Sequence, residues 1–290
     1  METYEQAVPV FINPDSGSAS GIIEQLRADQ RRAVHALPVA RMEEAMRRVI
    51  QAGAPRILVA GGDGTIALAV NVLAGTNAAL GIIPGGTLNH FAQRMGIPAD
   101  TQEALELALN GTAQPMDVGR VNDKLFINTS SVGAYVSFVR TRNKLERRMS
   151  YHLASVLAGL RRLWRLRSAR FSLDGRQIRS PLVFVGVGER ELMFPTLGQN
   201  RDDGQNGLHL IALRTHNRLE TLQLAFNALL RGIDPLSRAK QVEERMLDSL
   251  ELTYRHRRRH IHVAVDGELL LLDAPLRYQY VCGAVRIIRR

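Results

Sequence analysis

At 290 residues, 45% of them hydrophobic, the chain is long enough for one large or two ordinary domains, and its single cysteine, Cys282, excludes an internal disulfide and fits a reducing compartment. A formal net charge of +10 and a pI near 10.5 point to an anionic partner: nucleic acid, acidic membrane or a phosphorylated ligand. The N-terminus lacks the basic and apolar regions of a signal peptide, and no run of about 18 apolar residues occurs without charge or clustered glycine, so no membrane span is expected.

Residues 8–12 read as a first strand, and Asn13, Pro14, Asp15, Ser16 and Gly17 as a turn into a helix over about 21–30. A short strand near 35–39 and a helix over 41–52 follow. That helix carries Met42, Ala45, Met46 and Val49 on one face and is stopped by Gly53 and Pro55. Residues 57–60, too short for a helix and partly β-branched, are a buried strand. It ends in Gly61, Gly62, Asp63, Gly64 and Thr65, and a helix over 66–73 comes next. A second short strand, 80–83, is followed by a second glycine loop, PGGTLNHF, from Pro84 to Phe91. A helix over 101–109 stops at Asn110 and Gly111. Strands alternating with helices predict a parallel sheet with helices on both faces.

Strand, glycine turn, helix is an arrangement that can bind phosphate. Glycines let backbone N–H groups approach an anion without a Cβ in the way, and the following helix offers its positive N-terminal end. Two such loops at the carboxyl ends of two strands can form one cleft. Neither is a GxxxxGK[ST] or a GxGxxG, so the usual nucleotide fingerprints are absent. Asp63 stands out, because an acid among amides aimed at phosphate repels the ligand unless a metal or a transferable proton lies between them.

After Asp117 the texture changes, which places a domain boundary near residue 118. Hairpins are expected at Asn122–Asp123 and at Asp174–Gly175, with further strands over 182–187, 208–213, 249–254, 261–265 and from 269 onwards. Helices are expected at about 151–164 and 218–230. Between Arg140 and Arg170 stand ten Lys or Arg residues and one acid, Glu146, with Leu153, Val156, Leu157, Leu160 and Trp164 on one helical stripe. Such a helix either packs on the sheet with a solvated basic face or lies on anionic lipid. His256, His260 and His262 make no metal site, since the arginines between them oppose a cation. Asp266, Gly267 and Glu268 form a turn signal between two apolar runs, yet also put two carboxylates side by side, and a carboxylate near a transferred phosphate can accept the proton of an attacking hydroxyl.

The ordered set of GGDGT, PGGTLNHFA, a preceding NPxSG turn and a closing VDGE turn resembles the soluble diacylglycerol kinase catalytic family, which includes bacterial lipid kinases and, more distantly, sphingosine and ceramide kinases. FINTSSVGAY, KLERR and DAPLRY extend the resemblance over nearly the full chain. It implies an α/β fold of two domains: an N-terminal α/β nucleotide-binding domain, 1–118, rejoined by 284–290, and an antiparallel β-rich domain, 119–283, with the active site in the cleft between them.

The resemblance further implies that ATP lies against Asn13, Pro14, Asp15, Ser16, Gly17, His35, Gly61, Gly62, Asp63, Gly64, Thr65, Ile66, Ala67, Gly86, Thr87 and Asn89, with Asp63 acting through magnesium. Glu268, with Asp266 as its partner, is the expected base; in some branches the aspartate at the position of Asp63 takes that role. Asp203, with the backbone carbonyls of Asn200 and Gln205, matches a structural magnesium site, and Gln205-Asn206-Gly207 offers a second register. Ala67 stands where many members carry a polar residue, and His90 where many carry Asp.

The expected activity is an ATP- and magnesium-dependent transfer of phosphate to a hydroxyl of a membrane lipid, diacylglycerol first, giving phosphatidic acid. The expected protein is cytoplasmic and sits on the inner face of the membrane through the basic stretch 140–170, with no nucleic-acid partner and with a homodimer left open. A soluble nicotinamide-dinucleotide kinase, which shares GGDGT, and a non-catalytic lipid- or nucleotide-binding regulator are the alternatives.

Overall fold

The computed structural model describes residues 7–15, 19–27, 32–87, 89–133, 169–173, 176–180, 182–192, 197–200, 203–213, 242–254 and 259–290. Ser16, Gly17, most of the basic stretch, the helices expected at 151–164 and 218–230, and the turn at Asp174–Gly175 lie outside the described residues. The chain divides into two compact units, Met1–Val118 with Val281–Arg290, and Gly119–Tyr280.

The first unit is built on parallel strands: β1 (Val8–Ile12), β2 (Arg32–Ala36), β3 (Arg56–Gly61) and β4 (Ala79–Pro84), in the order β2-β1-β3-β4. Beyond β4, Arg286 and Ile287 of β18 (Leu276–Arg289) pair in parallel with Ala79 and Leu80. These strands read as nearly continuous apolar runs because helices cover both faces. On one face Val10, Ile12, Leu58, Ala60 and Ile83 pack with Ile22 and Leu26 of α1 (Ala19–Arg27) and Leu105 and Ala108 of α5 (Thr101–Asn110). Side chains of the other parity meet α2 (Val39–Gln51) and α3 (Asp63–Leu73), which also pack on each other. Met42 and Met46, on the stripe read from the sequence, are fully buried.

Both ends of α5 are satisfied. Asp100 accepts the N–H groups of Gln102 and Glu103 at 2.9 and 3.0 Å. At the other end Arg56, the first residue of β3, donates to the carbonyls of Ala108 at 3.0 Å, of Leu109, and of Gly111 at 3.3 Å. The α3 helix begins at Asp63, inside the glycine run, rather than at 66. Its first turn is therefore made of the residues that the sequence assigns to the loop.

The second unit is antiparallel. β7 (Thr129–Gly133), β10 (Leu182–Val187), β13 (Leu208–Leu213), β14 (Val242–Leu247), β16 (His260–Val265) and β17 (Glu268–Asp273) form a sheet in the order β14-β13-β10-β7-β16-β17. A second layer joins β8 (Ala169–Leu173), β9 (Arg176–Ser180), β15 (Ser249–Tyr254) and residues 276–279 of β18. Val132, Val183, Val185 and Val263 of the first layer share one buried cluster with Ile178, Leu250, Leu252 and Tyr278 of the second, so this unit is a sandwich. Tyr278 stands edge-on to Phe126, and its hydroxyl lies 3.1 Å from Ser130 Oγ, which satisfies both buried polar groups.

β5 (Thr112–Val121) and β6 (Lys124–Phe126) form the hairpin expected at Asn122, whose φ is 50°. A short ribbon pairs β11 (Arg190–Leu192) with β12 (Leu197–Asn200). Among the described residues no helix is long and apolar enough to cross a membrane.

Candidate functional site

Gly61 lies opposite Pro84 at the carboxyl ends of β3 and β4, so the two glycine loops start level with each other. The Gly85 N–H donates to the Gly61 carbonyl at 3.0 Å. A Cβ on Gly62 would stand 3.1 Å from Gly86 Cα, and one on Gly86 only 2.5 Å from Gly62 Cα. The loops touch backbone to backbone, which only glycine permits. Asn89, at φ 50°, closes the second loop on itself: its Oδ1 accepts the Gly86 N–H at 2.9 Å and its Nδ2 donates to the Gly86 carbonyl at 2.8 Å.

Asp63 joins the first loop to the second. Its Oδ1 accepts the Phe91 N–H at 2.8 Å and its Oδ2 the His90 N–H at 3.2 Å, capping α4 (His90–Arg94). The carboxylate thus serves the N–H groups of α4. The first turn of α3 has Gly62 at its N-cap and no side-chain cap. Its N–H groups and the positive end of the helix are left for an anion.

The other nucleotide candidates divide by burial. Gly64 and Thr87 are exposed, and Thr65 packs over Gly61, where an added Cβ would come within 2.8 Å of Thr65 Cβ. Ile66 is fully buried, so its side chain is core and any contact it makes with a ligand is through its backbone. The Ala67 carbonyl accepts from Asn71 Nδ2 at 2.9 Å. Asn13 Oδ1 accepts the Asp15 N–H at 3.2 Å, fixing the turn through Pro14. His35 stacks on Phe11 with ring centroids 4.8 Å apart.

In the second unit Val265 pairs with Glu268, which makes Asp266 and Gly267 a two-residue turn with φ 46° and 87°. Positive φ at both positions is the requirement of a type I′ hairpin. Asp266 accepts three backbone N–H groups: Ile127 at 2.7 Å on Oδ2, and Asn128 and Thr129 at 2.8 and 2.9 Å on Oδ1. Its own N–H donates to the Thr129 carbonyl at 2.8 Å. Glu268 is exposed, and its carboxylate accepts no hydrogen bond from any described residue. The two carboxylates therefore differ: Asp266 clamps the hairpin to the start of β7, and Glu268 is exposed with no hydrogen-bond partner among the described residues.

Among the described residues no group of three His, Cys, Asp or Glu could hold a metal ion. Asp203 is exposed, and Asn200 pairs with Arg190 in the β11–β12 ribbon. The Gln205 carbonyl already accepts the Glu189 N–H at 3.0 Å, and the Gln205 N–H donates to Glu189 Oε2 at 3.0 Å. His260 Nδ1 lies 2.6 Å from Asp273 Oδ1, a surface pair rather than a ligand set.

Two residues that the sequence did not single out are buried in the same unit: Arg190, 6% exposed, and His209, 5% exposed. Arg190 donates from Nη2 to the carbonyls of Asn128 at 2.8 Å and Val187 at 3.0 Å. Its backbone N–H donates to His209 Nδ1 at 2.9 Å. Burial lowers the His209 pKa, with Glu189 pulling it up and Arg190 pushing it down. The one sequence signal for this cluster is Gly186 within an otherwise apolar strand, since a strand glycine marks close approach.

The model of the diacylglycerol kinase catalytic domain matches residues 7–121. A diacylglycerol kinase of Mycobacterium tuberculosis is 30% identical over 290 residues, a match that covers 92% of this chain and 84% of that protein. A diacylglycerol kinase of Bacillus subtilis is 34% identical over 184 residues, 60% of this chain and 59% of that enzyme, so this second match spans less than two thirds of the relative. The crystal structure of a diacylglycerol kinase from Bacillus anthracis superposes with a TM-score of 0.66 over 100% of this chain and 98% of that one, at 20% identity, a likeness of fold.

Proposed function

From the premise that the chain belongs to the diacylglycerol kinase catalytic-domain family, we propose that it transfers the γ-phosphoryl group of ATP, with magnesium, to a hydroxyl of a membrane lipid, with diacylglycerol as the substrate and phosphatidic acid as the product. The observation that carries this reading is the uncapped first turn of α3 beside two glycine loops that meet backbone to backbone. Such a site takes a polyphosphate through N–H groups and a helix end, with no side chain in the way. Asp63 keeps one lone pair on each carboxylate oxygen after capping α4, which fits it to hold magnesium through water. Magnesium supplies charge neutralisation on the phosphate oxygens when bound.

Glu268 is the base in this reading. It takes the proton of the lipid hydroxyl as that oxygen bonds to the γ-phosphorus and the bond to the β–γ bridging oxygen breaks, releasing ADP. Asp266 holds the turn that carries Glu268, because its lone pairs are committed to three N–H groups.

The test is transfer of labelled phosphate from ATP and magnesium to a panel of lipids in anionic vesicles, with wild type beside Glu268→Gln. Label in one lipid with wild type, reduced on the order of 10²-fold or more by Glu268→Gln, is the expected result. ATP binding without any labelled lipid would overturn the kinase reading and leave the regulator.

A further inference from the structure

The hairpin that carries Glu268 is held by a partly buried chain of hydrogen bonds that reaches back to Arg190 and His209. Asp266 takes N–H groups from Ile127, Asn128 and Thr129, so the position of that short segment sets the position of the turn. The segment is held in turn through the Asn128 carbonyl, which accepts the Val187 N–H at 3.1 Å and Arg190 Nη2 at 2.8 Å. Arg190 Nε and Nη2 also donate to the Val187 carbonyl at 3.2 and 3.0 Å. One guanidinium thus ties together two carbonyls that stand on adjacent strands' ends, next to the amides that hold Asp266.

The placement of Arg190 is itself built. Its stem lies against Gly186, where an added Cβ would come within 2.8 Å of Arg190 Cγ and 2.9 Å of Nε. Its backbone is held by His209 Nδ1 at 2.9 Å, and the preceding Glu189 N–H donates to the Gln205 carbonyl at 3.0 Å. Taking a guanidinium out of water is costly, and a core that only needed filling would be served as well by an apolar side chain. A planar fork that can reach two carbonyls at once is what this geometry uses, and Lys lacks it.

We propose that Arg190 is a positioning residue for phosphoryl transfer: through the Asn128 carbonyl it fixes the amides that clamp Asp266, and so sets the orientation of Glu268, with Gly186 and His209 holding Arg190 in place. The inference rests on the reading of Glu268 as the base. A misplacement of a base by even about 1 Å costs up to 10²-fold in rate while leaving nucleotide binding intact.

The test is steady-state kinetics on the full chain with vesicle-borne lipid, using Arg190→Gln, Arg190→Lys, Gly186→Ala, Glu268→Gln and the double variant Arg190→Gln with Glu268→Gln. Arg190→Gln is expected to lower kcat on the order of tenfold to a hundredfold with the KM for ATP unchanged, and Arg190→Lys to recover part of the loss. Gly186→Ala, which displaces the Arg190 stem without removing it, lowers kcat in the same sense. In the Glu268→Gln background Arg190→Gln should have no further effect, because Arg190 acts only through that carboxylate. Full kcat in both Arg190 variants and in Gly186→Ala, with Glu268→Gln slowed on the order of 10²-fold, would overturn this inference alone. An equal further loss in the double variant would assign Arg190 to general stability and overturn it too. Full activity in Glu268→Gln would instead sink the reading of the base on which it rests. Should Arg190→Gln fail to fold, Arg190→Lys and Gly186→Ala decide the matter by the same kcat and KM readouts.

Discussion

Asp63 Oδ1 accepts the backbone N–H of Phe91 at 2.8 Å and its Oδ2 that of His90 at 3.2 Å, and these bonds link the loop after β3 to the helix after the loop of β4. The acid among these glycines is explained by where its oxygens point: they cap a neighbouring helix. Asp63→Ala should therefore cost stability as well as activity, by about 0.5–2 kcal/mol as for other lost N-caps. Asp63→Asn keeps one oxygen acceptor and should recover most of that stability while staying impaired in transfer. Urea midpoints set beside transfer rates for the two variants separate the structural loss from the chemical one. Equal stability in Asp63→Ala and wild type would contradict the capping role.

The contact between Gly62 and Gly86 gives a second prediction. A methyl at Gly86 meets backbone, with Gly62 Cα at 2.5 Å, and backbone cannot rotate away as a side chain can. Gly86→Ala should destabilise the chain by about 1–3 kcal/mol, as overpacking does. If ATP and magnesium bind at these loops as proposed, it should also weaken the rise in melting temperature expected from them with wild type. Calorimetry with and without nucleotide reads both effects. An unchanged rise would show that the meeting of the loops does not shape the nucleotide site.

Asp266 and Glu268 should separate cleanly under substitution. Glu268 is exposed and its carboxylate has no described partner, so Glu268→Gln should leave stability within about 0.5 kcal/mol while removing transfer. Asp266→Ala strands three N–H groups and removes the clamp, which should cost about 1–3 kcal/mol for the unsatisfied donors alone. Thermal unfolding of the two variants side by side is the measurement, and equal stabilities would remove the distinction drawn between these carboxylates.

Most of the first unit was legible because its signals are local. Apolar runs at 8–12, 57–60 and 80–83 mark β1, β3 and β4 to within a residue at either end, and the Met42–Met46 stripe marks the buried face of α2. The start of α3 was misplaced because glycines disfavour helix interiors, yet the first turn of a helix needs few of its own bonds and tolerates them. In the second unit the tight turns at Asn122 and Asp266 were readable, since residue type and positive φ go together there. β7, β11, β12 and β14 were not singled out: three of them are short or polar, and their pairing is set by partners far along the chain. The clamp on Asp266 was hidden for the same reason. Its donors, Ile127, Asn128 and Thr129, lie well over a hundred residues away in sequence, and no spacing rule joins them.

His209 gives a prediction in pH. Burial lowers its pKa below the usual 6.5, Glu189 opposes that shift and Arg190 adds to it; Glu244, on β14, has its own pKa raised by burial and by Glu189. The unfolded chain binds a proton on this histidine near 6.5, whereas the folded chain resists it because burial disfavours the charged ring, with the nearby Arg190 charge acting in the same direction. Stability from this site is therefore fully present above pH 6.5 and is lost as the pH falls from there towards the lower folded pKa. Glu244 works in the other direction: its folded pKa is raised from 4.5, so its contribution is present below 4.5 and lost as pH rises through the folded value. The histidine contribution makes urea midpoints fall between neutrality and mild acid. In His209→Asn the amide oxygen can still accept the Arg190 N–H but cannot titrate, so the fall should shrink while the fold survives. An undiminished fall in that variant would place the acid sensitivity elsewhere and leave His209 as packing alone.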